Sequence, residues 1–186
     1  MAFDATRFRS HLEYGGARPN LFEVRLSFPD NRGGADEEFT FMCKASSLPG
    51  MNVGQARVHY FGRAVNLAGD RSYEDWNVRV INDEDFKVRN AFEAWQNRLA
   101  MIDWGTHAIE NAGGRWQDLY VDITVTQMGR DGNTRLKEYT LHNAWPTSVG
   151  PIELDWSSND QIEEFSVNFS YDYFTNDKIQ GMSVNV

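Results

Sequence analysis

Apolar and polar residues alternate with period two over most of this chain, the signature of half-buried β-strands. Phe22, Val24, Leu26 and Phe28 alternate with Glu23, Arg25 and Ser27, and Phe39, Phe41, Cys43 and Ala45 continue the pattern after the turn formers Asp30-Asn31-Arg32-Gly33-Gly34. This pair reads as a hairpin with a loose loop. Trp76, Val78 and Val80 form another alternating run, as do Leu119, Val121, Ile123 and Val125. Arg130-Asp131-Gly132-Asn133 then signals a turn into a return strand from about Thr134 to His142. The cleanest run places Phe165, Val167, Phe169, Tyr171 and Tyr173 on one face, with Glu164, Ser166, Asn168, Ser170 and Asp172 on the other.

The period changes once, to that of a helix. Val88, Phe92, Trp95, Leu99 and Ile102 make one apolar stripe, preceded by Asn82 as N-cap and by Asp83, Glu84 and Asp85 near the positive end of the helix dipole. The predicted helix covers about 83–102 and ends near Trp104-Gly105; a short helix around Asp4 to Leu12 is a weaker signal. Ser46 to Gly54 is an apolar turn. Gln55 to Ser72 carries extended patches (Val58, Tyr60, Phe61, Val65, Leu67) interrupted by Gly62 and Gly69, which fits a hairpin or loop projecting from the body over about 46–72. The expectation is a mainly β chain, an antiparallel β-barrel or sandwich with one flanking α-helix, forming one domain over 1–186.

Charge narrows the functions open to such a chain. Against 27 Asp+Glu there are 18 Lys+Arg, a net charge of −9. That balance lacks the basic footprint with which proteins grip phosphates or anionic membranes. Cys43 is the one cysteine, so no internal disulfide can form; it reads as a small buried hydrophobe, and a reducing compartment suits it. The start Met1-Ala2-Phe3-Asp4 does not resemble a signal peptide, no run approaches the roughly 20 apolar residues of a membrane span, and folding in an ordinary cytoplasm is expected. Candidate chemistry is sparse. His11, His59, His107 and His142 are far apart and have no metal-ligand spacing, and no phosphate-cradling loop or Gly-x-Ser-x-Gly elbow occurs. Glu163 and Glu164 are strand neighbours that point to opposite faces. Neither an enzyme nor a cofactor site is expected. Two other classes stay open on the residues alone: a monomeric β-sandwich binding module using exposed aromatics such as Trp104, Trp116 or Trp156, and a small hydrolase with dispersed carboxylates.

A series of short motifs then fixes the comparison. Leu48-Pro49-Gly50 is followed by Tyr60-Phe61-Gly62, Tyr73-Glu74-Asp75-Trp76, Asn82-Asp83 with the Phe86 to Trp95 helix, and the Asp131-Gly132 turn. The stretch from Asn143 to Phe174 adds Asn143-Ala144-Trp145-Pro146, Leu154-Asp155-Trp156, Ile162-Glu163-Glu164-Phe165 and Tyr171-Asp172-Tyr173-Phe174. In order and spacing this series, over about residues 20–175, resembles the tail tube proteins of T4-like contractile-tailed bacteriophages. Tube subunits of type VI secretion and extracellular contractile injection systems share the fold and are the nearest alternative.

The resemblance implies a virion subunit, assembled in the host cytoplasm, whose six-fold rings stack into the inner tube of the tail. It also implies sheath, baseplate and tail terminator proteins as partners, and DNA passing through the lumen without specific binding. Projecting loops that bridge rings make Leu48, Pro49, Met51, Tyr60 and Phe61 the candidate subunit and ring contacts. A lumen that passes a polyanion without holding it calls for a hydrophilic, net negative wall, for which Asp122, Thr124, Thr126, Glu164, Ser166, Asn168, Ser170 and Asp172 are candidates.

Overall fold

A computed structural model describes residues 5–11, 16–29, 34–100 and 116–177. Seven strands form one hydrogen-bonded system in the order β1 (Phe22–Leu26), β6 (Val121–Met128), β7 (Arg135–Val149), β8 (Glu164–Ser170), β5 (Trp76–Ile81) and β2 (Cys43–Ser46), with β9 (Tyr173–Asn176) also paired to β7. All of the pairings are antiparallel. Two further strands, β3 (Met51–Tyr60) and β4 (Arg63–Tyr73), pair only with each other. The helices are α1 (Ala5–His11), α2 (Ala35–Met42) and α3 (Lys87–Ala100), and a 3-10 turn spans Trp116–Leu119.

β7 turns this sheet into a sandwich. Its first part pairs with β6 and β9, and from Trp145 onward it pairs with β8. Between the two lies a bulge at Asn143, whose φ of 54° is left-handed. Asp122 pins it: one carboxylate oxygen accepts the Asn143 N–H at 3.2 Å, and the other lies 3.0 Å from His142 Nδ1. The Asn143 side-chain amide donates to Asp172 at 2.7 Å. A bulge of this kind bends a strand and lets it serve two sheets. The return strand therefore runs past His142, where alternation predicts its end, to Val149.

Apolar residues from both sheets meet α2 and α3 in one core. Phe92 of α3 sits at its centre, 4.9 Å from the ring of Phe28, 5.6 Å from Phe39 and 5.8 Å from Phe169. Its neighbour Trp95 is buried and donates its indole N–H to the Leu119 carbonyl at 2.8 Å. Burial alternates along β5 and β8 as the sequence predicts. Tyr173 departs from the pattern: the chain bends at Asp172, and Tyr173 enters β9 exposed, stacked on His142.

Two expected elements are corrected. Phe39 to Ala45 is not one strand but the end of α2 followed by β2. The i, i+4 pair Ala35 and Phe39 is buried while Phe41 faces out, and three acidic residues occupy the first turn, where the helix dipole favours them. The expected hairpin with β1 is accordingly absent, since β1 pairs with β6 and β2 with β5. Likewise α3 starts at Lys87 and Asn82 is not its cap. Asn82 is buried at the end of β5, donating its N–H to the Glu163 carbonyl and its amide to the Glu163 carboxylate. Asp83 to Phe86 form a turn, and Asp85 accepts the Lys87 N–H at 2.9 Å. The expected helix end at Ile102 to Gly105 lies outside the described residues. The short N-terminal helix is present as α1.

Asp36 ties α2 to the end of β1, accepting the Phe28 N–H and the Ser27 hydroxyl, each at 2.9 Å. Asp36→Ala is expected to lower unfolding free energy by about 1–3 kcal/mol, since the Phe28 N–H loses its charged acceptor. Urea denaturation checks this.

Candidate assembly site

β3 and β4 form a ribbon on which all of β3 is exposed and β4 is exposed at all positions but Gly69 and Tyr73. Ten residues in extended form reach about 30 Å. Register decides its chemistry, because directly paired residues share a face. In the distal half the pairs Ala56–Leu67 and Val58–Val65 make one face apolar up to the last pair, Tyr60–Arg63, which adds a cation at its end; Gln55–Ala68, Arg57–Asn66 and His59–Ala64 make the other more polar. Near its middle the ribbon is bulged, and Gly54 and Gly69 lie so close that a Cβ on Gly69 would stand 3.1 Å from the Gly54 backbone. The base is held by Tyr73, whose ring packs on Tyr171 and Phe174.

The tip carries strain. Phe61 and Gly62 both have positive φ, 46° and 77°, as a two-residue hairpin loop of mirror-image type requires. Gly tolerates this and Phe does not, so the first loop position normally favours Asn, Asp or Gly. Phe61 is nonetheless there, 90% exposed, with its ring edge-on to Tyr60 at 4.6 Å. Of the expected contact residues, Met51, Tyr60 and Phe61 thus lie on this ribbon. Leu48 and Pro49 precede it, following Ser47, whose carbonyl accepts the Trp76 indole N–H at 2.6 Å. Leu48 and Met51 are exposed; Pro49 is half-buried.

The expected lumen residues divide between the sheets. Glu164, Ser166, Asn168 and Ser170 share the face of β8 opposite the core, and all are half-buried. Their setting is polar but not strongly acidic: Lys44 pairs with Glu164, Arg79 lies opposite Ser166, and Asn77 and Ser148 bond to Asn168. Asp122 and Thr124 occupy the outer face of β6, in the other sheet. Thr126 does not reach solvent: it is 2% exposed and donates to Glu138 at 3.1 Å. It sits between Glu23 and Glu138 on the adjacent strands, whose longer side chains cover it. Asp172 lies beyond β8 and meets Asp122 through Asn143.

One surface goes beyond the expected contacts. The connection from Gly150 to Glu163 exposes Leu154, Trp156 and Ile162, and Trp156 is 102% exposed. Asp155 accepts the N–H of Ser157 at 2.9 Å and its hydroxyl at 2.8 Å, a local turn that holds Trp156 outward and keeps the Asp155 carboxyl below the usual carboxylate range. Leu-Asp-Trp-Ser-Ser, an apolar pair around an Asx-turn former, is the signal for it in the sequence. Trp104 lies outside the described residues, as does the side chain of Trp116.

The remaining chemical candidates are engaged locally. Glu38, Asp83 and Asp85 converge, but Lys87 Nζ sits 3.0 Å from Glu38, which draws the ammonium pKa above its ordinary value. Cys43 is buried at the start of β2, and burial pushes its thiol up to about 12. His107 falls outside the described residues. No described helix is long and apolar enough to cross a membrane.

Comparison with known proteins agrees with this architecture. The family model described as phage tail tube protein matches residues 17–177. The chain is 39% identical over 158 residues to the tail tube protein gp19 of Enterobacteria phage T4, covering 85% of this chain and 90% of that one. Among solved structures, the tube-terminating cap of the anti-feeding prophage superposes with a TM-score of 0.61 at 16% identity, over 87% of this chain and 90% of that one. The sheath–tube complex of the extracellular contractile injection system PVC gives 0.52 at 17% identity, over 94% and 98%. At these identities the structures speak for the fold.

Proposed function

The chain belongs to the phage tail tube proteins of T4-like contractile-tailed bacteriophages, and from that premise we propose that it closes into six-fold rings whose stacking builds the inner tube of the tail, through which DNA passes. It works as a structural subunit of the virion, without catalysis, and the tube it forms is built in the host cytoplasm. Identity of 39% to the T4 tail tube protein favours a phage tail over a secretion or injection system, whose tubes share the fold at much lower identity. Sheath, baseplate and terminator are its partners in this reading; the superposing chains come from sheath–tube and tube-cap assemblies.

The observation that carries the proposal is the β3–β4 ribbon. A two-stranded ribbon is marginally stable alone, and one that shows water an apolar face needs a partner. A strained aromatic at its tip, 90% exposed, is what a contact residue looks like. β1, β2 and β9 add unpaired sheet edges among the described residues, and a closed ring of subunits would cover such edges. Purified protein at tens of micromolar is expected to form rings or tubes visible by negative-stain microscopy and fast-sedimenting in the ultracentrifuge. A strict monomer, also in the presence of baseplates able to initiate polymerisation, would contradict the assignment.

A further inference from the structure

Charge is unevenly distributed between the two exposed apolar surfaces. The ribbon, residues 51–73, holds Arg57, Arg63 and Arg71 against Asp70 alone, in a chain of net charge −9. None of the three arginines has an ion-pair partner among the described residues. The connection 150–164 is the reverse, with Glu153, Asp155, Asp160, Glu163 and Glu164 and no Lys or Arg. It overhangs an open groove of about 780 Å³ lined by Leu154, Trp156, Ile162 and the carboxylates Glu153 and Asp155. Lys44 and Arg79 also reach the groove, but Lys44 is committed to Glu164.

We propose that the acidic groove under the Trp156 connection is the receptor for the basic, apolar-faced β3–β4 ribbon of a neighbouring copy. This rests on the tube reading above and names the surface at which the ribbon lands. Both partners are preformed: the ribbon by its own pairing, the Trp156 turn by Asp155. Among the described residues both surfaces stand exposed. Between copies the apolar face of the ribbon, with Val58 and Val65 and the tip residue Phe61, covers Leu154, Trp156 and Ile162, while Arg63, paired with Tyr60 at the end of that face, meets the carboxylate rim and Arg57, on the reverse face, adds to the ribbon's positive field. Burying aromatic anchors inside a rim of opposite charges is how protein interfaces gain both affinity and register. The groove involves β8 only at its Glu164 end, through Ser166, leaving Asn168 and Ser170 uncovered.

Reciprocal charge reversal tests it. One variant carries Arg57→Glu with Arg63→Glu, a second Glu153→Arg with Gln161→Arg, both of the latter lining the groove; all four positions are exposed and lack ion-pair partners among the described residues, so the fold is retained. Each variant alone is expected to raise the critical concentration for polymerisation at least about tenfold, because like charges then face each other. A one-to-one mixture, and the chain carrying all four changes, should polymerise near the parental concentration. Independently, His59→Cys on the ribbon and Ser158→Cys beside the groove should be joined between copies by a short bis-maleimide. Cys43, buried with its thiol held protonated, does not compete. A second variant that polymerises like the parent, no recovery on mixing, or polymers free of the cross-link would each overturn the groove as receptor while leaving the tube reading intact. Failure of the parent to polymerise would instead count against the tube reading itself.

Discussion

Phe61→Asp and Val65→Asp are expected to abolish tube formation while leaving the monomer folded, with Phe61→Asp at least as stable to heat as the parent. At Phe61 the substitution acts with opposite signs in the monomer and in the tube. In the isolated chain Phe61 is almost fully exposed and held at φ 46°, a conformation that Asp adopts more readily than Phe, so the substitution relieves strain. In an assembled interface the same carboxylate would be buried without a partner, at a cost of several kcal/mol. Every 1.4 kcal/mol is tenfold in an equilibrium constant, so the critical concentration should rise by about a hundredfold or more. Val65 lies on the apolar face opposite Val58, and the same reasoning applies without the turn effect. Leu48→Asp, at the foot of the ribbon, should also impair assembly. The contrasting control is Phe92→Ala at the centre of the core, expected to cost about 3–5 kcal/mol in the monomer. Sedimentation and thermal melts separate the two classes. If Phe61→Asp melted as low as Phe92→Ala, Phe61 would be a packing residue, and the ribbon would lose its claim as a contact.

The strands that bury one face were legible because their alternation is long and regular: β5 and β8 follow it throughout, and β6 as far as Val125. It misled where it was short. Phe39, Phe41 and Cys43 alternate over too few residues to separate a strand from a helix, and the i, i+4 pair of Ala35 and Phe39 was the better signal. Asn82 looked like a helix cap because it precedes three acids, but its amide is taken by Glu163, a partner 81 residues away. Such long-range bonds leave no local trace. The bend in β7 was equally hidden, since Asn143 is left-handed only in the grip of Asp122 and Asp172. The ribbon itself was visible as extended, β-prone patches over Gln55 to Ser72, punctuated by Gly62 and Gly69. Its apolar face was not, because it emerges only when the register sets Val58 against Val65.

Ser170→Lys is expected to leave tubes intact and make them hold DNA. Among the proposed lumen positions Ser170 is the best place for a charge. Glu164 is paired with Lys44, Asn168 is bonded to Asn77 and Ser148, and Asp172 holds the Asn143 bulge, so changing those would disturb the fold as well as the lining. The face of β8 is polar and nearly balanced in charge, a surface on which a polyanion finds neither strong attraction nor a barrier. A lysine there, repeated about six times in every ring of the proposed tube, would present a column of cations to the phosphates. Each engaged phosphate releases counterions, and some 6–10 contacts lose about 10³–10⁵ in affinity between 50 and 200 mM salt. Retention by Ser170→Lys tubes should therefore be strong at low salt and collapse as salt rises, with genome ejection slowed under the retaining conditions. Ser170→Glu, in tubes of the same geometry, should show neither effect. Ejection kinetics and DNA affinity equal to the parent's in well-formed Ser170→Lys tubes would place this face of β8 away from the channel and move the search to the outer face of β6, where Asp122 and Thr124 stand.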